Sequence, residues 1–358
     1  MTTSSTGSDL PLYLEDVDAR WLTHVLQNRF PGVKVEACRR TGGHRGTSMS
    51  ACFVLTYSDR AGHDLPESVY VKGGFDDKWR KRVYQALQQE ALFYNEVAPD
   101  IDLNIPGAYY AAINDAPQGI VVLEDLRLRP GDVRFASSLA HVSEDDVAAV
   151  LENIAKLHAQ WWGDPRLNQY ESWREPQRIF LKYLYRPSHW DELVACKHGE
   201  LLERALVDSA TAKRSLETLW DMMDSRPRTF LHGDLHGGNI FYEADGRPGF
   251  LDWQLCFAGN YAHDMSWIIV TALNVEQRRK HERDLIKHYL GALGAHRGDA
   301  PKFDDAWLSY RQNMAHALAS YGAVPRDMGA PDIVERSAER VFHAALDHDV
   351  LDALGMKN

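Results

Sequence analysis

The sequence predicts an α+β protein of two lobes, a small N-terminal lobe built on an antiparallel sheet and a large, mainly helical C-terminal lobe. Two patterns predict it. Up to Leu126, short runs rich in Val, Ile, Tyr and Phe, such as residues 51–57, 68–72 and 119–126, are separated by turn residues, as strands are. From Ser143 onward, apolar residues recur at helical spacing over long stretches, with one predicted hairpin embedded among them. A chain of 358 residues can bury two cores of this kind. The lobes are expected to span residues 1–126, with a hinge at the end, and 127–358.

In chain order, residues 1–10 are polar enough to be expected to lack order. Residues 16–30 read as an amphipathic helix with Val17, Trp21, Val25 and Leu26 facing inward. Thr41 to Ser48, containing Gly42, Gly43 and Gly46, reads as a glycine-rich loop ahead of the strand at 51–57. Val69 and Val71 alternate with Tyr70 in the next strand, and Lys72 stands at its end. Residues 80–97 read as a helix: Val83, Leu87, Ala91 and Tyr94 form one stripe, Glu90 lies inside it and Pro99 stops it. Residues 119–126 form a buried strand ending in Glu124 and Asp125. Ser143, followed by three acids, is a good helix start. That helix is expected to reach about Trp162 and to bury Val147, Leu151, Ile154, Leu157 and His158, the last as a core histidine. Residues 200–224 and 275–294 also read as helical.

Composition narrows the function classes. With 44% hydrophobic and 25% charged residues, the chain is an ordinary globular protein. Its net charge of −11 disfavours nucleic acid and anionic membranes as partners. Four scattered cysteines, Cys38, Cys52, Cys196 and Cys256, fit a reducing compartment. The start carries no signal-peptide pattern, and the apolar runs are too short to span a bilayer. A cytoplasmic location is therefore expected.

The chemistry concentrates at residues 230–254. His232-Gly233-Asp234 and Asn239 lie on a short loop between apolar runs, and Asp252 follows the predicted hairpin. Asp245-Gly246 marks the turn of that hairpin, and Pro248 helps to end it. A hairpin there would bring Asn239, at the start of one strand, to the same edge as Asp252, at the end of the other. Phosphoryl transfer from a magnesium nucleotide needs such a set: a base for the acceptor hydroxyl and two oxygen ligands for the metal. Two other readings exist. Asp234 and Asn239 could merely stabilise the loop through Asx turns. His232, His236, His263 and Asp264 could form a metal cluster, although Gly233, Gly237 and Gly238 argue against the helix that His-x-x-x-His spacing requires.

These residues resemble the aminoglycoside phosphotransferase family and its relatives, the choline/ethanolamine kinases and ecdysteroid-kinase-like proteins, over about residues 40–270. The resemblance implies the two-lobed protein-kinase-like fold, with ATP and Mg²⁺ as cofactors. It implies that Asp234 is the catalytic base, that Asn239 and Asp252 hold magnesium, and that His232 braces the loop. Asp264, in the segment after the metal Asp, would tie that loop down. Trp253-Gln254 stands where protein kinases carry Phe-Gly, and no Ala-Pro-Glu segment is recognisable. Both departures point away from protein substrates.

A kinase reading also demands a strand lysine and a helix glutamate. Lys72, contacting the α- and β-phosphates, and Glu90, as its partner, answer that demand, with Glu96 as the rival. Gly42 and Gly43 would belong to a phosphate-covering loop. Glu124 and Leu126 would mark the hinge where adenine bonds the backbone. The acceptor is expected to be a small molecule with a hydroxyl group. Aromatics in the helical insert (Trp161, Trp162, Tyr170, Trp173, Phe180, Tyr183, Tyr185, Trp190) and later (Trp267, Trp307, Tyr310, Tyr321) lean toward an apolar or aromatic alcohol, phenol or steroid. An aminoglycoside would need carboxylates near Asp234; Asp304, Asp305, Glu335, Glu339, Asp347 and Asp349 are the candidates. A choline-like acceptor, or a non-catalytic nucleotide-binding pseudokinase, remains as the alternative.

Overall fold

The computed structural model describes residues 10–46, 48–114, 117–137, 142–323 and 331–357. Those residues fall into two compact units, one within residues 1–133 and 250–255, the other within 134–249 and 256–358.

The first unit is a five-stranded antiparallel sheet with two helices. Its elements are α1 (Ala19–Gln27), β1 (Lys34–Arg45), β2 (Met49–Asp59), β3 (Ser68–Gly73), α2 (Asp77–Leu92), β4 (Ala108–Ile113) and β5 (Gly119–Glu124), in the sheet order β1-β2-β3-β5-β4. Asp18 caps α1 by accepting the Trp21 N–H, and Leu22, Val25 and Leu26 bury the helix face against Val33, Val35, Phe53, Val69, Val71 and Ile120. Leu10, inside the stretch expected to lack order, is buried in the same cluster; residues 1–9 lie outside the described residues.

Two expectations need correction here. The glycine-rich stretch is mostly strand: β1 runs through Gly42 and Gly43 to Arg45, with a bulge between Thr41 and His44, and beyond it the Gly46 N–H donates to the Ser48 carbonyl. Thr47 of that stretch lies outside the described residues. At Gly43 the backbone has φ +135°, and a Cβ would stand 2.3 Å from the Ser50 carbonyl oxygen, so the bulge requires glycine. Gly43→Ala is expected to lower stability by about 1–3 kcal/mol, read as a fall in thermal midpoint. The second correction concerns α2. It starts at Asp77, where Asp76 accepts the Lys78 and Trp79 N–H groups, and continues as a π-turn through Phe93–Val97. Val83, placed on the inward stripe, has φ −126° and marks a kink; Leu87, Ala91 and Tyr94 are buried.

The second unit is mainly helical. It comprises β6 (Arg134–Phe135), α3 (Glu144–Gln160), α4 (Glu175–Leu184), α5 (Pro187–Val194), α6 (Gly199–Leu206), α7 (Ser209–Asp224), β7 (Thr229–Leu231), β8 (Ile240–Tyr242), β9 (Pro248–Phe250), β10 (Phe257–Gly259), α8 (Ala262–Ala272), α9 (Val275–Arg297), α10 (Phe303–Gln312), α11 (Met314–Ala317), α12 (Pro331–Asp347) and α13 (Val350–Ala353). Ser143 and Asp146 close a capping box at the start of α3, whose Val147, Leu151, Ile154, Leu157 and His158 are all buried. The helix expected over 200–224 is two helices. Val207, at φ 68°, breaks it and Asp208 caps the second. α8 is buried on every side, His263, Asp264, Ser266 and Thr271 included. The predicted hairpin is β8–β9, closed by Gly246 at φ +83° with the Glu243 N–H donating to the Arg247 carbonyl; Pro248 begins the returning strand. Among the described residues no helix is long and apolar enough to cross a membrane.

Candidate functional site

In the second unit, β7 delivers the loop that carries Asp234. β7 pairs antiparallel with β10, Leu231 opposite Phe257 and Thr229 opposite Gly259, so the chain leaves β10 beside the start of β7, where Asn260 Nδ2 donates to the Pro227 carbonyl before α8 begins. The Asp264 carboxylate on α8 then ties the loop down: Oδ2 accepts the His232 N–H at 2.7 Å and Oδ1 the Gly233 N–H at 2.9 Å. The His158 Nε2 lies 3.4 Å from Oδ2, and its Nδ1 meets the Tyr289 hydroxyl at 2.7 Å. Burial alone would raise the Asp264 pKa, but His158, His263 and His232 hold it below the ordinary value. His158 is thus the core histidine its burial suggested. Asp264→Asn would turn an amide NH₂ toward one of two backbone N–H groups. It should destabilise the protein by roughly 1–3 kcal/mol, measured by urea unfolding.

Gly233, at φ +82°, makes the turn that presents Asp234. His232 is fully buried, its Nδ1 accepting the Asp234 N–H at 3.3 Å, and His263 Nε2 meets the Gly233 carbonyl at 3.0 Å. The loop closes through a 3₁₀ turn, Gly237–Asn239, in which His236 Nδ1 accepts the Gly238 N–H. Asn239 Nδ2 donates to the Asp234 carbonyl at 2.9 Å and lies 3.4 Å from its carboxylate. With its amide nitrogen engaged there, Asn239 has its oxygen to offer as a ligand, the atom type magnesium takes.

Two more side chains lie against the Asp234 carboxylate. Trp267 Nε1, one turn along α8 from Asp264, donates to Oδ1 at 3.1 Å, and His236 Nε2 lies 3.6 Å from Oδ2. Burial would raise this carboxyl, but His236, His232 and the Trp267 hydrogen bond bring it down to about 2, so it is ionised at neutral pH. Tyr321 stacks on the Trp267 ring at 5.0 Å and 11°, and also meets the His236 ring edge-on at 6.0 Å. From the sequence, Trp267 and Tyr321 were two in a pool of aromatics with nothing to single them out. Trp161 and Tyr170 instead pack on Phe230 in the core.

In the first unit, Lys72 Nζ lies 2.9 Å from Glu90 Oε1, 2.8 Å from Glu90 Oε2 and 2.8 Å from Asp252 Oδ1. Burial would push the ammonium pKa down, but Asp252 and Glu90 outweigh it and hold the pKa above its ordinary value. Burial and the Asp252 charge raise the Glu90 carboxyl against the pull of Lys72. Glu96, the rival partner, is exposed. Asp252 itself has φ 60°, a left-handed conformation that Asp tolerates better than most residues. The next residue anchors it: the Trp253 ring stacks on Phe93 at 4.1 Å and 6°.

The strand end expected to serve as the hinge carries its own constraints. The Glu124 N–H donates to the Gly107 carbonyl, and its carboxylate pairs with Arg129. The Leu126 carbonyl accepts the Arg129 N–H at 3.2 Å. Asp125, not singled out from the sequence, is buried and accepts from Ser68 Oγ at 2.6 Å and from Arg127, clamping the end of β5 to β3. Among the described residues no group of three or more His, Cys, Asp or Glu side chains could hold a metal ion, which leaves the histidine-cluster reading without a site.

A sequence model described as the phosphotransferase enzyme family matches residues 77–307, well over half the chain. Two solved structures share its fold. One is a candidate aminoglycoside phosphotransferase from Ralstonia eutropha JMP134, 16% identical, with a TM-score of 0.52 over 93% of this chain and 98% of that one. The other is the choline kinase LicA from Streptococcus pneumoniae, 13% identical, with a TM-score of 0.50 over 92% and 98%. At such identities the likeness speaks for the α+β, protein-kinase-like fold alone. No curated protein matches the chain by sequence.

Proposed function

The chain belongs to the phosphotransferase enzyme family, and from that membership we propose a small-molecule kinase that moves the γ-phosphoryl group of ATP to a hydroxyl of an apolar or aromatic alcohol, phenol or steroid-like acceptor. The observation that carries the kinase reading is the buried Lys72–Glu90 pair with Asp252 on the same ammonium. An ammonium held at that point, with the acids to orient it, suits the α- and β-phosphates of a nucleotide. A structure of LicA, at a TM-score of 0.50, is described as a complex with AMP, which favours an adenine nucleotide here too.

In this mechanism Lys72, oriented by Glu90, binds phosphate oxygens, and the backbone at Gly42 and Gly43 would cover them. Asn239 and Asp252 would hold Mg²⁺, which would offset phosphate charge. Asp234 accepts the hydrogen bond of the acceptor hydroxyl, points its oxygen at the phosphorus and takes the proton as the new P–O bond forms and the bond to the bridging oxygen breaks, that oxygen leaving with ADP. A carboxyl with a pKa of about 2 is a weak base. A loose transition state asks little of the base until the bond is nearly made, so orientation is its larger contribution.

The acceptor class rests on the side chains met around Asp234: an indole, a phenol ring and an imidazole. Three of the acids that might have served a polycationic acceptor are engaged elsewhere. Asp347 pairs with Arg278 and Arg279, Glu335 with Lys197, and Asp349 with Lys357. The stacked Trp267 and Tyr321 rings would also attract a quaternary ammonium, which keeps a choline-like alcohol as the second reading. Magnesium-dependent ADP formation against steroids, phenols, simple alcohols, choline, sugars and aminoglycosides tests both. Turnover with an apolar hydroxyl supports the first and turnover with choline the second. ATP binding without turnover on any of them would favour a pseudokinase, and no ATP binding would overturn the kinase reading.

A further inference from the structure

We propose that Trp267 is a positioning residue for the reaction: its indole N–H fixes Oδ1 of Asp234, so that Oδ2 is the oxygen that receives the acceptor hydroxyl. The proposal rests on the kinase reading above. The geometry that carries it is local to the second unit. Trp267 Nε1 donates to Oδ1 at 3.1 Å, while Oδ2 is met at longer range, by Asn239 Nδ2 at 3.4 Å and by His236 Nε2 at 3.6 Å. A carboxylate rotates freely about its terminal torsion unless something holds one oxygen. An indole N–H is a donor with no acceptor capacity, so it grips the ionised carboxylate and cannot compete with it for the acceptor's proton.

The indole is itself held. Trp267 is buried on α8, the helix whose Asp264 anchors the backbone of the same loop through His232 and Gly233. Its ring is stacked by Tyr321 and met edge-on by His316 at 5.3 Å. One helix therefore orients both the backbone and the side chain of the catalytic loop, through residues one turn apart. Asp-x-x-Trp at 264–267 is the sequence trace of that arrangement.

Trp267→Phe keeps a ring for Tyr321 and His316 and removes the donor. Turnover should fall about tenfold to a hundredfold, as for loss of one hydrogen bond to a charged group. The KM values for ATP and for the acceptor found in the panel should stay within about twofold, since neither is bound by the indole. A structural defect would instead lower the thermal midpoint and disturb KM as well. The hydrogen bond is read without any turnover from the indole ¹H–¹⁵N spectrum of the tryptophan-labelled protein. Trp267→Phe identifies the Trp267 cross-peak, and Asp234→Ala should move it. An unmoved peak would overturn the proposal even in an active kinase, as would unchanged kcat in Trp267→Phe. A peak that moves in a protein that phosphorylates nothing would overturn the kinase reading, and the positioning role with it, while leaving the bond established.

Discussion

Asp234→Asn should abolish all but a small remnant of turnover. A positioned base typically contributes about 10²–10⁴ in rate, and the substitution removes the proton acceptor while preserving shape. The amide oxygen can still accept the Trp267 N–H, and the backbone anchors from Asp264 are untouched, so the loop should keep its conformation. ATP affinity should change little, because Lys72, the ammonium proposed to bind phosphate, lies in the other unit on its own partners. Steady-state kinetics with the acceptor found in the panel, beside a nucleotide titration of the same variant, separates the two effects. Full turnover in the variant would remove Asp234 from the catalytic role. The pH dependence has a definite sign: with its pKa depressed to about 2, Asp234 contributes stability above the ordinary carboxyl range, lost only as pH falls toward that value. It should not itself shape the rate profile near neutrality.

Lys72→Met should be the most destabilising single change in the first unit. The ammonium is buried between two carboxylates; without it, Glu90 and Asp252 remain on one spot with no cation. Breaking a buried ion pair by removing one partner costs about 3–5 kcal/mol, because the remaining charge is neither solvated nor compensated. Methionine keeps most of the alkyl volume, so lost packing contributes little. Adding Glu90→Gln to Lys72→Met should recover part of the loss, and the coupling from the full double-mutant cycle measures the pair itself. Urea unfolding of the four proteins, without nucleotide, is the measurement. A Lys72→Met protein within about 1 kcal/mol of the parent would contradict the buried arrangement. Nucleotide affinity should fall in both lysine variants, including the one whose stability is partly restored.

Much of this was legible from local patterns. The strand at 68–72, the glutamate on the following helix and the Asp-Gly hairpin after Asn239 all follow from period and turn chemistry, which act over a few residues. The misreadings were also local. A run of glycines looked like a loop, but β1 absorbs Gly42 and Gly43 in a bulge because pairing with β2 supplies backbone hydrogen bonds that a loop would lack. Val83 fits a helical stripe by spacing, yet sits at a kink. Val207 gives no warning of a helix end, since a left-handed β-branched residue is disfavoured by its own sterics and persists only when its surroundings impose it.

By itself the sequence determined which residue types stand where along the chain: an Asp and an Asn on one glycine-bearing loop, an Asp after a hairpin, a lysine at a strand end and a glutamate in the helix beyond. Tertiary structure decided what each side chain meets. It chose Glu90 over Glu96, turned Asp252 left-handed onto Lys72, and drew Trp267 out of a dozen aromatics to hold Asp234 from 33 residues away. The reason is physical. Periodicity and turn propensity are set by neighbours in the chain, whereas a hydrogen bond to a buried carboxylate depends on how two separately specified elements pack, which no local pattern encodes.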